Sequence, residues 1–505
     1  SWDEFMPKGF TKPIFNQIAH LIDIDNLISS TSVIIQQTKD ADSLPIQQRI
    51  IEVSRMIEKF HFTDKETVRT PWRVVNMHMV ETLGGYDFYD ESHTKLLDTP
   101  ELREQEGITD TIFCNPDAHI LEINSKSGVY PLWIAHTFWA LLRNNSMTHE
   151  QDWAFWKKVV ENNVYVVCKT RMAEKITKRV LCGFNKEIHA NTVSFENLID
   201  RLKDNSKLAS LKKQIRNQST YGKNSNNMIN FEAVVGNPPY QKVNKGNGNG
   251  ADPLYHLFIQ LGMELADKGT LIHPARFLFN AGKTPKDWNA KMLNDEHYKV
   301  VKYSADSSFV FPSVDIKGGV AITLWDKSQN FGKIELFSAY EELKSVLSKT
   351  QEKWTESFST IVGPRELYRL TDELYMDNPL FDGRQSVGHK YSFGANIFDI
   401  FPEIFSNEAE HPNNAKVFGR YENQRCFKFM NPKYLSEPES FKKYKIIVPE
   451  ANGTGAIGEV LSTPIICTPI TGHTDTFISV GCFDNIFEAE ACLKYVKSKF
   501  ARTLL

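Results

Sequence analysis

The sequence predicts an α/β protein: a mostly parallel sheet covered by helices on both faces, with a helical segment before it and a mixed α+β region after it. Three observations predict this. From about residue 115 to 325, short apolar runs alternate with helical stretches. Residues 1–62 carry apolar positions at three- and four-residue spacing with no strand pattern. Beyond about residue 330 the alternation gives way to turn clusters and short aromatic-rich strands. These changes set expected domains at 1–64, 65–330 and 331–505.

In the first segment, "FNQIAHLIDIDNLI" and "IQQRIIEVSRMIEKF" read as amphipathic helices, a helical support or linker. In the second, "HILEI", "VYVVC", "FEAVVG", "GTLIH" and "GGVAITLW" read as strands, and "YPLWIAHTFWALL", "MAEKITKRVL" and "YHLFIQLGMELA" as helices. Ligands of such sheets sit beyond the carboxyl ends of the strands. Two polar interruptions break the pattern: a basic stretch at 201–230, low in apolar residues, and "QKVNKGNGNGAD" at 241–252. The latter is either a loop that closes over a ligand or a plain surface connection. No internal repeat is evident.

Composition narrows the classes. With 505 residues, 41% hydrophobic and 24% charged, the chain can build ordinary cores in two or three domains. A formal charge of -3 gives no overall basic field, so any polyanion must be met by local patches. Seven scattered cysteines without a CxxC pair predict reduced, buried thiols in a cytoplasmic protein, not a disulfide frame or a zinc site. No apolar run approaches ~18 residues, so no membrane span is expected. The chain starts at Ser1 without a signal peptide, and "EAEACLKYVKSKFARTLL" stops inside a helical pattern. We expect the natural chain to extend past one or both ends.

The stretch that carries chemistry is "VVGNPPYQ" at 234–241, where an apolar strand runs into Asn237, Pro238, Pro239 and Tyr240. An exocyclic amine on a purine is a poor nucleophile because its lone pair is shared with the ring. Two acceptors aimed at its N–H groups draw the nitrogen toward a tetrahedral shape and localise the lone pair. The Asn237 side-chain oxygen supplies one acceptor and the carbonyl of Pro238 the other. The prolines fix the backbone, so the carbonyl is aimed in advance. Tyr240 offers a face for a base to stack on, and a base held in a duplex must be flipped out to reach it. As a bare turn, the same residues would cap a strand and a core.

"VVGNPPY" resembles the catalytic motif of amino-group DNA methyltransferases of the N6-adenine type, which implies a Rossmann-like domain that uses S-adenosylmethionine. Other segments follow that family's order. "ETVRTPWRVVNMHM" at 66–79 resembles its cofactor-side helix start, with Thr70 capping, Pro71 in the first turn, and both lining the methionine end. "HILEINSKSGVYPLW" at 119–133 resembles the strand and glycine loop, with Glu122 as the acid and Gly128 as the last glycine, whereas Lys126 replaces an earlier glycine and Ile123 a proline. The strand "VYVVC" should end in an acid for the ribose hydroxyls, and Cys168 or Lys169 stands there instead. Phe195, in "TVSFENL", falls where a side chain can stack on the cofactor's adenine. "DPLYHLFIQLGMELADKGTLIHPARFLF" matches the next helix and strand, with Asp252 opening the helix. In "SSFVFPSVDIKGGVAITLW", Phe311, followed by Pro312, matches the aromatic that grips the extruded base from the other side.

The order of these motifs is the gamma order of restriction–modification adenine methyltransferases, similar to type I and type IIG modification and specificity regions. It implies double-stranded DNA as partner, a target-recognition role for 331–505, no metal in the transfer, and room for a nuclease or motor region on the same chain or a partner subunit. Between 416 and 445, eight Lys/Arg interleave with aromatics, among them Phe418, Tyr421, Phe427, Phe429 and Tyr434, and with only three acids, a pattern suited to phosphate and groove contact or to a solvated face. "PEANGTGAIGE" at 449–459 is a glycine loop that can enter a groove or join a hairpin. Alternatives stay open. The motif recurs in methyltransferases of RNA bases and of a protein glutamine amide, and the departures at Cys168 and Lys126 fit a modification and recognition portion with weak or no methylation of its own. A nuclease reading of Asp117 and Glu122 fails at Asn124, where that chemistry needs lysine.

Overall fold

The structure is a computed structural model that describes residues 11–21, 23–59, 70–144, 146–243, 251–311, 316–354, 356–450 and 463–504. The chain forms two compact units, Ser1–Ala339 and Tyr340–Leu505.

After a short helix, Lys12–Ile18, the first unit continues with helices α1 (Ile24–Asp42) and α2 (Ile46–Lys59), then α3 (Trp72–Thr82). Its centre is a seven-stranded sheet of β1 (Ile120–Ser125), β2 (Val164–Cys168), β3 (Asn191–Ser194), β4 (Phe231–Gly236), β5 (Ala266–Pro274), β6 (Tyr298–Ser304) and β7 (Val320–Asp326). The spatial order is β6-β7-β5-β4-β1-β2-β3. The five strands from β5 to β3 run parallel, and β7 and β6 complete the sheet antiparallel. Chain order reverses between β1 and β4, so their carboxyl ends flank the crevice where sheets of this kind hold ligands.

Burial on both faces explains the near-continuous apolar strands. Successive residues point to opposite faces: Ile120, Val166 and Val235 join one core with α4 (Val129–Leu142), while Leu121, Val167 and Val234 join the other with α8 (Tyr255–Leu265). Helix α4 has no polar stripe because it is enclosed from Val129 to Trp139. Between them in the chain come α5 (His149–Asn162), α6 (Arg171–Cys182) and α7 (Asn205–Arg216).

Several expectations are corrected. The stretch 201–230 is not an interruption: α7 buries Leu211 and Ile215, and only its outer face is polar. Asp252 does not open α8; it lies in the short strand Ala251–Pro253, paired with Gln241–Val243, and Leu254 caps the helix. The seven thiols are free, but only Cys168, Cys182 and Cys467 are buried, while Cys114 and Cys482 are exposed. Pro312 and most of the glycine-rich stretches at 241–252 and 449–459 lie outside the described residues. Among the described residues, no single helix is long and apolar enough to cross a membrane.

The second unit holds two three-stranded sheets. In one, the hairpin β8 (Ala415–Tyr421) and β9 (Gln424–Met430) is joined by β12 (Thr471–His473). In the other, β10 (Tyr444–Pro449) runs between β11 (Ile465–Cys467) and β13 (Phe477–Phe483), with α9 (Ile486–Lys497) packed on β10. Its larger core is aromatic, built on Tyr368, Phe398, Phe401 and Phe441.

Candidate active site

The site forms where β4 ends beside β1. Gly236 has φ +151, and a Cβ there would stand 2.6 Å from the Ile123 carbonyl oxygen, so only glycine lets β4 end so close to β1. Across the crevice Asn124, in the left-handed region at φ +68, donates from Nδ2 to the Asn237 carbonyl at 3.2 Å. That bond fixes the backbone of Asn237, which is 2% exposed. Its side-chain Nδ2 donates to Thr70 Oγ1 at 3.0 Å, and its Oδ1 is enclosed with no hydrogen-bond partner among the described residues.

The motif continues inward. Pro238 is buried, Pro239 and Tyr240 half-buried, and the Tyr240 carbonyl accepts from the Leu254 amide at 3.0 Å. The Tyr240 hydroxyl is also enclosed. It lies close enough to Asn237 for the amide to favour its ionised form slightly, without hydrogen-bond geometry, and burial pushes its pKa up. The ring meets Phe311 edge-on, centroids 6.1 Å apart at 68°, and both pack on a cluster that includes Val74 and Met77 of α3. No purine fits between rings in edge contact, so Tyr240 and Phe311 must part to admit one.

Thr70 and Pro71 do not play the capping roles expected of them. Helix α3 starts at Trp72 with Pro71 as its N-cap and no side-chain cap bond, since a proline side chain offers no acceptor, and the Thr70 oxygen accepts from Asn237 instead. The Trp72 amide donates instead to Glu58 at 3.2 Å.

Glu122 projects from the middle of β1, 4% exposed, with Oε2 unpartnered. Burial pushes its pKa up to about 8, against smaller opposing effects from Ser125 and Lys126. Gly128 caps α4 at φ +79, and a Cβ there would stand 3.0 Å from the Thr177 Cα. Burial raises the pKa of the Tyr130 hydroxyl, one turn into α4, with Glu122 and Tyr240 adding to the effect and Thr70 opposing it. The hydroxyl meets His78 Nδ1 of α3 at 2.6 Å. Thr70, Asn237, Tyr240, Phe311 and Glu122 are thus brought to one locus. Phe195 is not seen to touch any of them: half-buried, it packs on the opposite core with Arg201 over its ring at 5.3 Å. Cys168 ends β2 where the ribose acid was expected, and its thiol lies against Thr177 at 3.8 Å. Two hollows elsewhere in this unit, of about 590 and 420 Å³, include none of Thr70, Glu122 or Asn237.

Sequence reasoning missed His78, Tyr130 and Asn124. A polar ring inside the apolar helices "WRVVNMHMV" and "VYPLW" was the available signal.

Residues 162–311 match the Eco57I restriction-modification methylase family. Both Asn-Pro-Pro-Tyr and Phe311 lie in that matched segment. A curated relative, an "uncharacterized adenine-specific methylase" of Mycoplasma pneumoniae, is 29% identical over 111 residues, 21% of this chain and 26% of that protein. The chain thus spans about a quarter of the curated relative it matches. Among solved structures, the ATP-dependent type ISP restriction-modification enzyme LlaBIII bound to DNA aligns at TM-score 0.41 and 10% identity, over 86% of this chain and 35% of that one. The DrdV–DNA complex aligns at TM-score 0.44 and 11% identity, over 98% and 58%. A modification subunit of a putative type I restriction enzyme from Vibrio vulnificus aligns at TM-score 0.31 and 12% identity, over 63% and 61%.

In the second unit much of the basic stretch is already neutralised. Lys433 pairs with Asp377, Lys442 with Glu437 and Lys443 with Asp484, while Lys445 is buried with its ammonium on the Ser440 and Lys443 carbonyls. The β8–β9 hairpin keeps Arg420 and Arg425 exposed, with Lys416 over Phe427 and Lys428 over Tyr421, each at 4.0 Å.

Proposed function

We propose that the chain is the modification and recognition part of a restriction–modification system, methylating adenine N6 in a specific DNA sequence with S-adenosylmethionine as donor. One observation carries the reading. At the reversal point of the sheet, the only enclosed oxygen of Asn237's side chain is left without a partner, while the amide's N–H is already spent on Thr70. Burying an acceptor in this way costs about 1–3 kcal/mol unless a donor arrives, and an exocyclic amine is such a donor.

The residues present fit the methionine end of the cofactor. The unpartnered Glu122 oxygen suits an ammonium, and the turn at Gly128 opens α4 beside it. When bound, the cofactor supplies an electrophilic methyl on sulfur. Asn237 Oδ1 and the Pro238 carbonyl hold the two amine hydrogens, so the nitrogen lone pair turns out of the ring plane toward that methyl. Tyr240 and Phe311, once parted, stack on the two faces of the flipped base. Proline-fixed backbone keeps the acceptors in place without loss of loop entropy during the reaction. Residues 331–505 then serve as the DNA reader, with the β8–β9 hairpin as its basic face.

The test is transfer of labelled methyl to duplex DNA, RNA and protein by the wild-type chain and Asn237→Ala. We expect DNA N6-adenine to take the label, and Asn237→Ala to lose transfer by at least about 100-fold with DNA affinity kept. Near-normal turnover in that variant refutes the assigned role. Cys168 at the end of β2 favours a second reading, a recognition portion with little methylation of its own, for which calorimetry would find no cofactor binding even with cognate DNA.

A further inference from the structure

We propose that Asn124 is a positioning residue for the methyl transfer. By holding the Asn237 carbonyl from β1, it sets the backbone torsion of the Asn-Pro-Pro-Tyr turn that the prolines leave adjustable, and so aims the Pro238 carbonyl. This rests on the function proposed above.

The prolines fix φ at 238 and 239, and Pro239 restricts ψ of Pro238. Asn237 precedes a proline too, but that confines its ψ only to a window of roughly 40°. The Pro238 carbonyl lies beyond that torsion and swings with it. One hydrogen bond closes the window. Asn124 Nδ2 donates to the Asn237 carbonyl oxygen at 3.2 Å, 113 positions away in the chain. Asn124 is 4% exposed and Asn237 2%. A carbonyl only accepts, so the Asn124 group that faces it must be its NH₂. The Asn237 side chain has a separate anchor, the bond from its Nδ2 to Thr70. The two acceptors offered to the amine are thus held independently.

The end of β1 is built around this contact. The ladder between β1 and β4 ends at the pair Glu122 and Val235, and the Asn124 bond ties the two chains two residues past it. Against β2 the register shifts at Asn124: Ile123 pairs with Val167 and Ser125 already with Cys168. Such a bulge gives up a place in the ladder and re-aims a side chain. Two requirements then meet at one position. At φ +68 the backbone favours glycine, asparagine or aspartate. The facing carbonyl requires a donor. Glycine has none and an aspartate carboxylate only accepts, whereas asparagine meets both demands.

The consequence is a shared frame. Strand β1 carries Glu122, and its end leads to the Gly128 cap of α4. The strand that frames the methionine end of the cofactor also holds the turn that receives the amine, so methyl donor and acceptor are located from one strand.

Two measurements on the full chain test this clasp. Asn124→Gly keeps the left-handed backbone and removes the donor, and Asn124→Asp keeps the size as well but sets an acceptor against the carbonyl. In single-turnover methyl-transfer assays at saturating cofactor and DNA, Asn124→Gly should slow transfer by about 10- to 100-fold, the loss that a misplacement of about 1 Å brings. Asn124→Asp should be at least as slow. Cofactor and DNA Kd should move less than about twofold in Asn124→Gly. A wild-type rate in Asn124→Gly, or a loss confined to Kd, overturns the proposal. The contact is also read without turnover, by carbonyl NMR of protein carrying ¹³C-carbonyl asparagine and ¹⁵N-proline. The Asn237 resonance, identified by its disappearance in Asn237→Ala, should move upfield in Asn124→Gly as its hydrogen bond is lost. An unmoved resonance overturns the clasp whether or not the chain methylates anything. Absence of methyl transfer by the wild-type chain sinks the proposed function instead, and the resonance still decides the clasp.

Discussion

Replacing Glu122 by glutamine should stabilise the first unit while weakening its hold on the cofactor. The carboxyl is buried with one oxygen unpartnered, and its pKa stands at about 8 against an ordinary 4.5. Below pH 4.5 it is protonated in folded and unfolded chains alike and costs nothing. Between 4.5 and 8 the unfolded chain ionises while the folded site keeps its proton, so stability falls as pH rises. Above pH 8 the full cost is in place, roughly 5 kcal/mol at 1.36 kcal/mol per pKa unit. From about pH 6 to about pH 8 the same linkage removes roughly 2 kcal/mol. Glutamine fills the space and cannot ionise, so the stability gap between Glu122→Gln and wild type should widen by roughly that amount over this interval. Urea unfolding followed by tryptophan fluorescence reads it, because Trp72, Trp133, Trp156 and Trp325 are all buried in this unit. A gap of equal size at both pH values refutes the reasoning, since it would mean that the folded carboxyl is already ionised. Calorimetry on the same variant should show lower cofactor affinity, as the proposed role of Glu122 requires.

Three further outcomes are expected. Gly128→Ala should destabilise the first unit by about 1–3 kcal/mol in the same unfolding assay, because the residue sits at φ +79 and its Cβ would press on the Thr177 backbone at 3.0 Å. An unchanged midpoint would show that α4 can start without the left-handed turn. Lys445→Met should stabilise the second unit at pH 7 by on the order of 2 kcal/mol. Burial lowers that ammonium's pKa to about 8 from 10.5, so the wild-type unit gains stability as pH rises from 8 to 10.5, and the variant should lack that rise in thermal melts. Arg425→Ala with Lys428→Ala should weaken DNA binding and lower the slope of log K against log salt by about 2, and an unaltered slope removes the β8–β9 hairpin from the DNA face.

The sheet and the Asn-Pro-Pro-Tyr turn that ends β4 were legible in the sequence because both are local. Strands buried on two faces leave apolar runs such as "VYVVC" and "FEAVVG", and Asn-Pro-Pro-Tyr announces itself by residues that are costly elsewhere. What failed was whatever depends on competition for a partner. Thr70 has the chemistry of a helix cap, but its oxygen is taken by Asn237, 167 positions away, and the helix starts one residue later than a cap at Thr70 would place it. Asp252 has the same credentials and is drawn into a two-stranded ladder. The basic run at 416–445 reads as a charged surface, yet four of its six lysines are paired or buried by acids and carbonyls, among them Asp377 and Asp484, which sequence proximity does not reveal. His78 and Tyr130 were passed over because a polar ring in an apolar helix is normally satisfied within the core. They are satisfied there, by each other and by Thr270.

That connection bears on why the core under the site is polar at all. An apolar floor beneath Asn237 would be cheaper to fold, since each buried hydroxyl and imidazole must find a partner or cost about 1–3 kcal/mol. It would leave the amide free to turn. An amide that turned would present NH₂ to the amine of the proposed substrate, donor against donor. Steric shape cannot prevent the turn, because the oxygen and nitrogen ends are nearly the same size. Only a hydrogen-bond partner of fixed polarity can, and a lone threonine is not one, since a hydroxyl donates or accepts as its neighbour requires. Beneath the site His78 joins the Tyr130 hydroxyl to Thr270 of β5, whose own hydroxyl donates to a carbonyl of β7. The polar floor extends until it reaches a group with only one possible role, and in a sheet the nearest such group is the backbone itself.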